Sequence, residues 1–213
     1  MRDESTDAEN VEVFVPPIHA DKFSKLHFVS TEKNSMAQVR GYLMTRYKVS
    51  HLDHRLELGH RLTALMDTID DTSEATSFYI NSSFPDSTGG GYLLVYGLLA
   101  VLGMQFEAID EFVRVLKKEQ FIGTKMKLDP RFDRIKQTRN DVIHQMNRDY
   151  GQHFFRVMRR SVSKESIETR RDMGRYETVN IFTMVREQIE AVDSDLGRLL
   201  EGLAKSKGPV ATP

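Results

Sequence analysis

The sequence predicts a mostly α protein: an antiparallel bundle of four to five helices with one β-hairpin insertion. Three observations carry that reading. Four long segments space their apolar residues by three and four, whereas strand-like character is confined to one stretch at about residues 153–172. The chain has 213 residues, of which 39% are hydrophobic and 29% charged, as expected of a globular domain large enough to bury a core.

Residues 1–34 read as a polar arm with one short extended piece, VEVFVPP, closed by Pro16 and Pro17. A helical domain follows over 35–204, and 205–213 is a flexible tail. From Ser35 to Asp71, Leu52, Leu56, Gly59, Leu62, Met66 and Ile69 repeat at helical spacing, with a break near Ser50, where Ser50 and Asp53 have the spacing of a capping box. SSFPDSTGGGY (Ser82 to Tyr92) is loop-like in composition, and its three glycines predict a flexible connection. The next helix, about Tyr92 to Glu119, is apolar around its whole circumference for three turns, so its own bundle or a second subunit must cover it. Asp129 and Pro130 supply an N-cap and a first helical residue for a helix reaching about Tyr150. HFFRVMRRSVSKESIETRRDM then reads as a hairpin turning at Ser163 to Glu165. Phe182, Val185, Ile189, Val192, Leu196, Leu199 and Leu203 form the packing seam of a last helix.

Composition narrows the function. With no cysteine there is no disulfide and no thiolate zinc site, which fits a cytoplasmic protein. The acidic N-terminus, MRDESTDAENVEV, does not read as a signal peptide. The most apolar run, Tyr92 to Phe106, is shorter than a membrane span and is followed by Glu107 and Asp110, so no membrane association is expected. A net charge of −1 argues against non-specific DNA coating. Seven cations (Arg156, Arg159, Arg160, Lys164, Arg170, Arg171, Arg175) nevertheless stand against three acids (Glu165, Glu168, Asp172) between Phe154 and Arg175. This is either a solvated hairpin with edge charges that discourage strand pairing, or a phosphate-attracting patch with Arg156, Arg159 and Arg160 as substrate-binding candidates.

No metal or cofactor is expected. His51, His54 and His60 lack the His-Glu-x-x-His order of zinc hydrolases, and Gly89-Gly90-Gly91 lacks the Lys-Ser/Thr ending of a phosphate-binding loop. Gly97, Ala100 and Gly103 either admit another helix closely or fill small spaces in the core.

The stretch IKQTRNDVIHQ (Ile135 to Gln145) carries the most information. Phe132, Ile135, Val142, Ile143 and Met146 form an apolar stripe on a helix, and Arg139 lies within it. A lone buried guanidinium costs several kcal/mol, so it needs a partner. Either it answers a carboxylate on a neighbouring helix, with Glu107 the first candidate, or the stripe is partly a subunit interface where the arginine opens into a cleft. Asn140 and His144 share a polar face, about 140° from Arg139 on an ideal helix for His144.

At Arg139-Asn140-Asp141-Val142-Ile143-His144 the sequence resembles the HEPN superfamily, whose signature is Arg, a polar residue, and His after four to six positions. Tyr96 to Ile109, YGLLAVLGMQFEAI, resembles the preceding helix of several HEPN families, with Tyr-Gly at its start and Gln-x-acid-Ala at its end. The likeness covers roughly Ser35 to Leu203. It implies a homodimer whose two Arg–His helices face each other across a cleft, acting as a metal-independent endoribonuclease or, in other members, as a non-catalytic binder of nucleotide, RNA or protein. Many such nucleases are toxins or defence effectors, some held by an antitoxin protein. The resemblance makes His144 the proton-transfer group, Arg139 the stabiliser of phosphate charge, Asn140 an orienting group and Glu107 their support.

Overall fold

The computed structural model describes residues 31–47, 56–144, 156–157, 161–171 and 175–206, with the side chains of 31–35, 141, 143, 144, 156, 157, 170, 171 and 175 outside that description. Within these residues the protein is a mostly α bundle of five helices: α1 (Thr31–Thr45), α2 (Leu56–Asn81), α3 (Thr88–Lys118), α4 (Arg131–His144) and α5 (Ile181–Lys205). Three short strands, β1 (Arg156–Val157), β2 (Ser166–Arg171) and β3 (Arg175–Asn180), form an antiparallel sheet in that order between α4 and α5. The Ser50 break, residues 1–30 of the arm and residues 207–213 of the tail lie outside the described residues, whereas residues 31–34, read as arm, open α1 and Lys205, read as tail, closes α5.

Sequence spacing translates directly into burial in α1, where Met36, Val39 and Leu43 face inward, and in the first half of α2, where Leu62, Met66 and Ile69 do so. Beyond Asp71, where apolar spacing stops, α2 continues for ten further residues. The inward positions there are Thr72, Ser73 and Thr76, followed by Tyr79 and Ile80, and the three hydroxyls of the first group donate back to the carbonyls of Thr68, Ile69 and Thr72. These bonds satisfy the polar groups inside the helix itself, so the stretch between Ile69 and Tyr79 is buried without apolar side chains.

The segment expected to be a loop through Tyr92 is shorter than that. Helix α3 begins at Thr88, with Ser87 as N-cap accepting from the Gly90 N–H at 3.1 Å. The three glycines form its first turn because two of them lie against the preceding chain. A β-carbon on Gly91 would fall 2.6 Å from the Phe84 ring, and one on Gly90 2.9 Å from Pro85. With that turn included, α3 is 31 residues long and contains an 18-residue window of mean hydropathy 1.7, long and apolar enough to cross a membrane by length and composition. Its contacts with α2, α4 and α5 are those of a bundle helix.

The hairpin also differs from expectation. β1 is two residues long, and β2 pairs along its whole length with β3, a strand the sequence reading left unassigned. RYETVN was obscured because it runs straight into α5, whose N-cap Asn180 accepts from the Thr183 N–H at 2.8 Å. The sheet buries Ile167 and Thr169. It is tied to α2 by the Tyr79 hydroxyl donating to Lys164 O and by Lys164 Nζ donating to Ile80 O.

Helix α5 runs the length of the bundle and buries the expected Val185, Val192, Leu196, Leu199 and Leu203, while Phe182 and Ile189 are half-buried. Gln188 and Asp195 complete the inner face. Two apolar clusters result, one among α1, α2, α3, α5 and Phe132 of α4, the other among the end of α2, α3, the rest of α4, the sheet and the start of α5. At their junction Gln188 donates to Gln105 and to Leu102 O, and Gln105 donates to Ser73. This buried chain fixes the register of α2, α3 and α5, because a one-residue slip of any helix leaves amides unpaired.

At the base of α4, Asp195 accepts from the Asp129 backbone N–H, and Asp129 accepts from the backbone and guanidinium of Arg131. The hydrogen-bonded Arg131 holds the Asp129 carboxyl at about 2, against an ordinary 3.8. Burial pushes the Asp195 carboxyl in the opposite direction. A depressed carboxyl stabilises the fold above its unfolded value and loses that contribution as pH falls toward its folded value. Asp129→Ala is therefore expected to cost about 2 kcal/mol at neutral pH, or a melting temperature lower by roughly 4–8 °C. Thermal melts of parent and variant should converge as pH falls from about 4 to about 2.

Candidate functional site

Helix α4 packs its stripe of Phe132, Ile135 and Val142 into the bundle, and all three are buried. Arg139 lies between these positions, and its side chain is 19% exposed. The guanidinium rests on the backbone of α3 where Gly103 leaves room for it. A β-carbon on Gly103 would fall 2.6 Å from both Cζ and Nε of Arg139 and 2.8 Å from Nη2. Of the two roles expected of a small residue at 103, it fills the first, admitting a side chain of another helix, α4, against α3, and that side chain is a cation.

The partners of that cation are few among the described residues. Nη1 donates to Asn140 Oδ1 at 3.1 Å. Glu107, one turn beyond Gly103 on α3, brings Oε1 within 3.9 Å of Nη1 and is itself 64% exposed. That distance is too long for a hydrogen bond, and the exposure means water screens the attraction. Arg139 Nε is buried with no acceptor, which costs of order 1–3 kcal/mol. A guanidinium carries five N–H donors, and here the described fold engages one of them. Glu107 is therefore a neighbour of Arg139 rather than a buried carboxylate that neutralises it.

Two residues the sequence reading did not select belong to the same corner. Lys136, one turn before Arg139, places Nζ 4.9 Å over the Phe106 ring, adding a second cation on the flank of α4 that meets α3. Tyr96 donates its hydroxyl to Val142 O at 3.2 Å and stacks on Tyr92 with ring centroids 4.3 Å apart. It thereby ties α3 to the last described turn of α4, which ends at His144. A lysine at helical spacing from Arg139 was the available signal for Lys136. Nothing in the sequence announces a tyrosine aimed at a helix carbonyl.

Arg139, Asn140 and Glu107 are brought together. His144 is placed by its backbone at the end of α4, and its side chain lies outside the described residues. Arg156 stands in β1, at the other side of the hairpin connection. Arg159 and Arg160, like the histidines His51 and His54, lie outside the described residues.

Two concavities flank the site. Between α4, the sheet and the start of α5, a cavity of about 290 Å³ is lined by Ile135, Thr138, Val142, Asn180, Thr183 and Glu187, with Arg134 and Glu187 paired at its edge. Along α3, a groove of about 630 Å³ runs between Phe78 of α2 and Leu93, Leu94, Gly97 and Val101. Phe78 is 69% and Leu93 75% exposed, and Met104 continues this apolar strip one turn short of Glu107.

Compared with known proteins, the chain matches no family model, no curated protein and no solved structure.

Proposed function

We propose that the chain is a metal-independent endoribonuclease of the HEPN type, working at a cleft between two copies of itself with Arg139 and His144 as its central groups. The observation that carries this reading is the seat of Arg139. Its guanidinium occupies an apolar stripe, lies on Gly103, keeps one buried N–H unpaired and, among the described residues, has a loosely placed carboxylate, Glu107, nearby. A side chain placed there for stability would be apolar or fully paired. One placed there to receive an anion keeps donors available.

RNA carries its own nucleophile, the 2′-hydroxyl next to each phosphodiester, so the protein has to move protons and stabilise the charge that develops on phosphorus oxygens. Arg139, oriented by Asn140 and accompanied by Lys136, supplies the second function. Imidazole is the side chain that exchanges protons most readily near neutral pH, and His144 would supply the first. Two copies meeting through the uncovered apolar strip of α3 would remove Leu93 and Met104 from water and set the Glu107 edge, with Arg139 beside it, along the junction. The family resemblance extends the proposal to a toxin or defence role in the cytoplasm, with a neutralising protein as partner.

A second reading, a binding module without catalysis, is favoured by the composition of the described corner: Arg139, Lys136 and Asn140 suffice to hold a phosphate group without proton transfer. Mass analysis of RNA fragments produced in EDTA separates the two. Cleavage leaving 2′,3′-cyclic phosphate ends supports the nuclease. Intact RNA that nevertheless binds, with binding lost in Arg139→Ala, supports the module.

A further inference from the structure

Helices α3 and α4 run antiparallel along one seam, and three contacts fix its register: Tyr96 with the Val142 carbonyl, Gly103 with Arg139, and Phe106 with Lys136. Phe106 lies three residues after Gly103, and Lys136 three residues before Arg139. The two cations therefore leave α4 on neighbouring turns, with β-carbons about 5–6 Å apart, and both reach over α3. They are seated differently. Arg139 is inserted between the helices, its side chain 19% exposed, whereas Lys136 is exposed.

Asp133 stands three residues before Lys136 on α4, at the spacing from which a carboxylate reaches a lysine. The ammonium turns instead toward α3, 4.9 Å from the centre of the Phe106 ring. An aromatic face attracts a cation without taking its N–H donors, so all three stay available to an anion. Among the described residues no carboxylate pairs with Lys136. Glu107, the acid next to Phe106 on α3, is placed beside the guanidinium, with Oε1 3.9 Å from Arg139 Nη1. The seam thus offers two cations in step, each held by α3 through something other than a tight ion pair.

We infer that the α3–α4 seam holds two successive phosphodiesters of one RNA strand, the first on Arg139 and its neighbour on Lys136. Lys136 is then a positioning residue, which fixes the strand without touching the phosphate that reacts. The choice of RNA rests on the ribonuclease reading above; the two-phosphate spacing does not. One helical turn, about 5.4 Å, separates the two levels on α4. Successive phosphodiesters are bridged by a whole ribose, whereas the phosphorus atoms of a nucleoside diphosphate share a single oxygen and lie too close together to occupy both levels. The side chains match the division of labour. A planar fork suits the phosphate whose charge builds, and a point charge on a flexible stem suits one that is only held.

The test is an NMR titration with 2′-O-methyl UpU and UpUpU, which carry one and two phosphodiesters. Their blocked 2′-oxygens prevent cleavage, so binding is readable whether or not the chain is a nuclease. The parent is expected to bind UpUpU about tenfold more tightly than UpU, with a log affinity that falls more steeply with log salt by about 0.7. Lys136→Gln should bind UpU as the parent does and lose both the gain and the extra slope. Lys136→Arg should keep them. Lys118→Gln, which removes an equal charge at the C-terminal end of α3, should leave them unchanged. The inference is overturned if the parent gains nothing from the second phosphodiester, if correctly folded Lys136→Gln keeps the gain, or if uridine diphosphate competes with UpUpU as strongly as UpUpU itself binds. A gain lost in Lys136→Gln from a chain that cleaves no RNA in EDTA leaves the two-phosphate seam standing and removes the nuclease reading alone; cleavage without the gain removes the seam alone.

Discussion

Alanine at His144 is expected to lower RNA cleavage by a factor of about 10²–10⁴, the usual contribution of a positioned acid or base, with little change in thermal stability. His144 ends the described part of α4, one turn beyond Asn140, and the Tyr96 hydroxyl fixes the carbonyl two residues before it. Rates should follow the protonation of an imidazole, rising through about pH 6–7 and falling again if the second copy supplies the acid. Arg139→Ala should be similarly damaging through a different step, loss of transition-state charge stabilisation, and should weaken binding of uncleavable RNA as His144→Ala should not. The measurement is initial cleavage rate in EDTA across pH, beside direct binding. A His144→Ala protein that cleaves at the parental rate would remove histidine from the mechanism.

Gly103→Ala separates the site from the fold in the opposite manner, by altering a residue that touches no substrate. The new β-carbon would overlap Cζ and Nε of Arg139, the far end of a flexible side chain, not backbone. The guanidinium can swing aside, so the bundle is not forced apart, and alanine is the better helix former by about 1 kcal/mol. Stability should hold or rise. Cleavage should fall by about a hundredfold, the usual consequence of displacing a catalytic group by an ångström or so. Melting curves and cleavage rates of the one variant test this together, and parental activity with alanine at 103 would show that the seat on α3 does not matter.

What the sequence made legible follows from how each element is stabilised. Helices α1, α4 and α5 and the early part of α2 could be read because their inner faces are apolar at helical period. The late part of α2 was illegible because Thr72, Ser73 and Thr76 bury hydroxyls that satisfy themselves locally. The first turn of α3 was hidden by glycines whose lack of side chains is required by Phe84 and Pro85. Gln188 and Asp195 stand in the inner face of α5 for tertiary reasons, a chain of amides and a cap on Asp129, which no single-helix pattern expresses. At the site, an arginine in an apolar stripe was conspicuous, and Glu107 could be named from its helix. The seat on Gly103 could not be read, because it pairs two residues on different helices through the absence of a side chain.

On the proposed function, Arg139 is retained for an anion and not for the fold. Arg139→Met examines it most directly, since methionine fills the same space beside Gly103, needs no partner, and removes the unpaired Nε. Replacing buried charge by a well-packed apolar side chain is worth about 1–4 kcal/mol in favourable cases, so the melting temperature should rise by roughly 2–4 °C for each of them. Thermal melting of Arg139→Met, measured on the same preparation as RNA cleavage in EDTA, is predicted to show a more stable protein with cleavage abolished. A less stable protein that cleaves as the parent does, or a less stable one from a parent that never cleaved, would mean that the arginine serves the bundle alone.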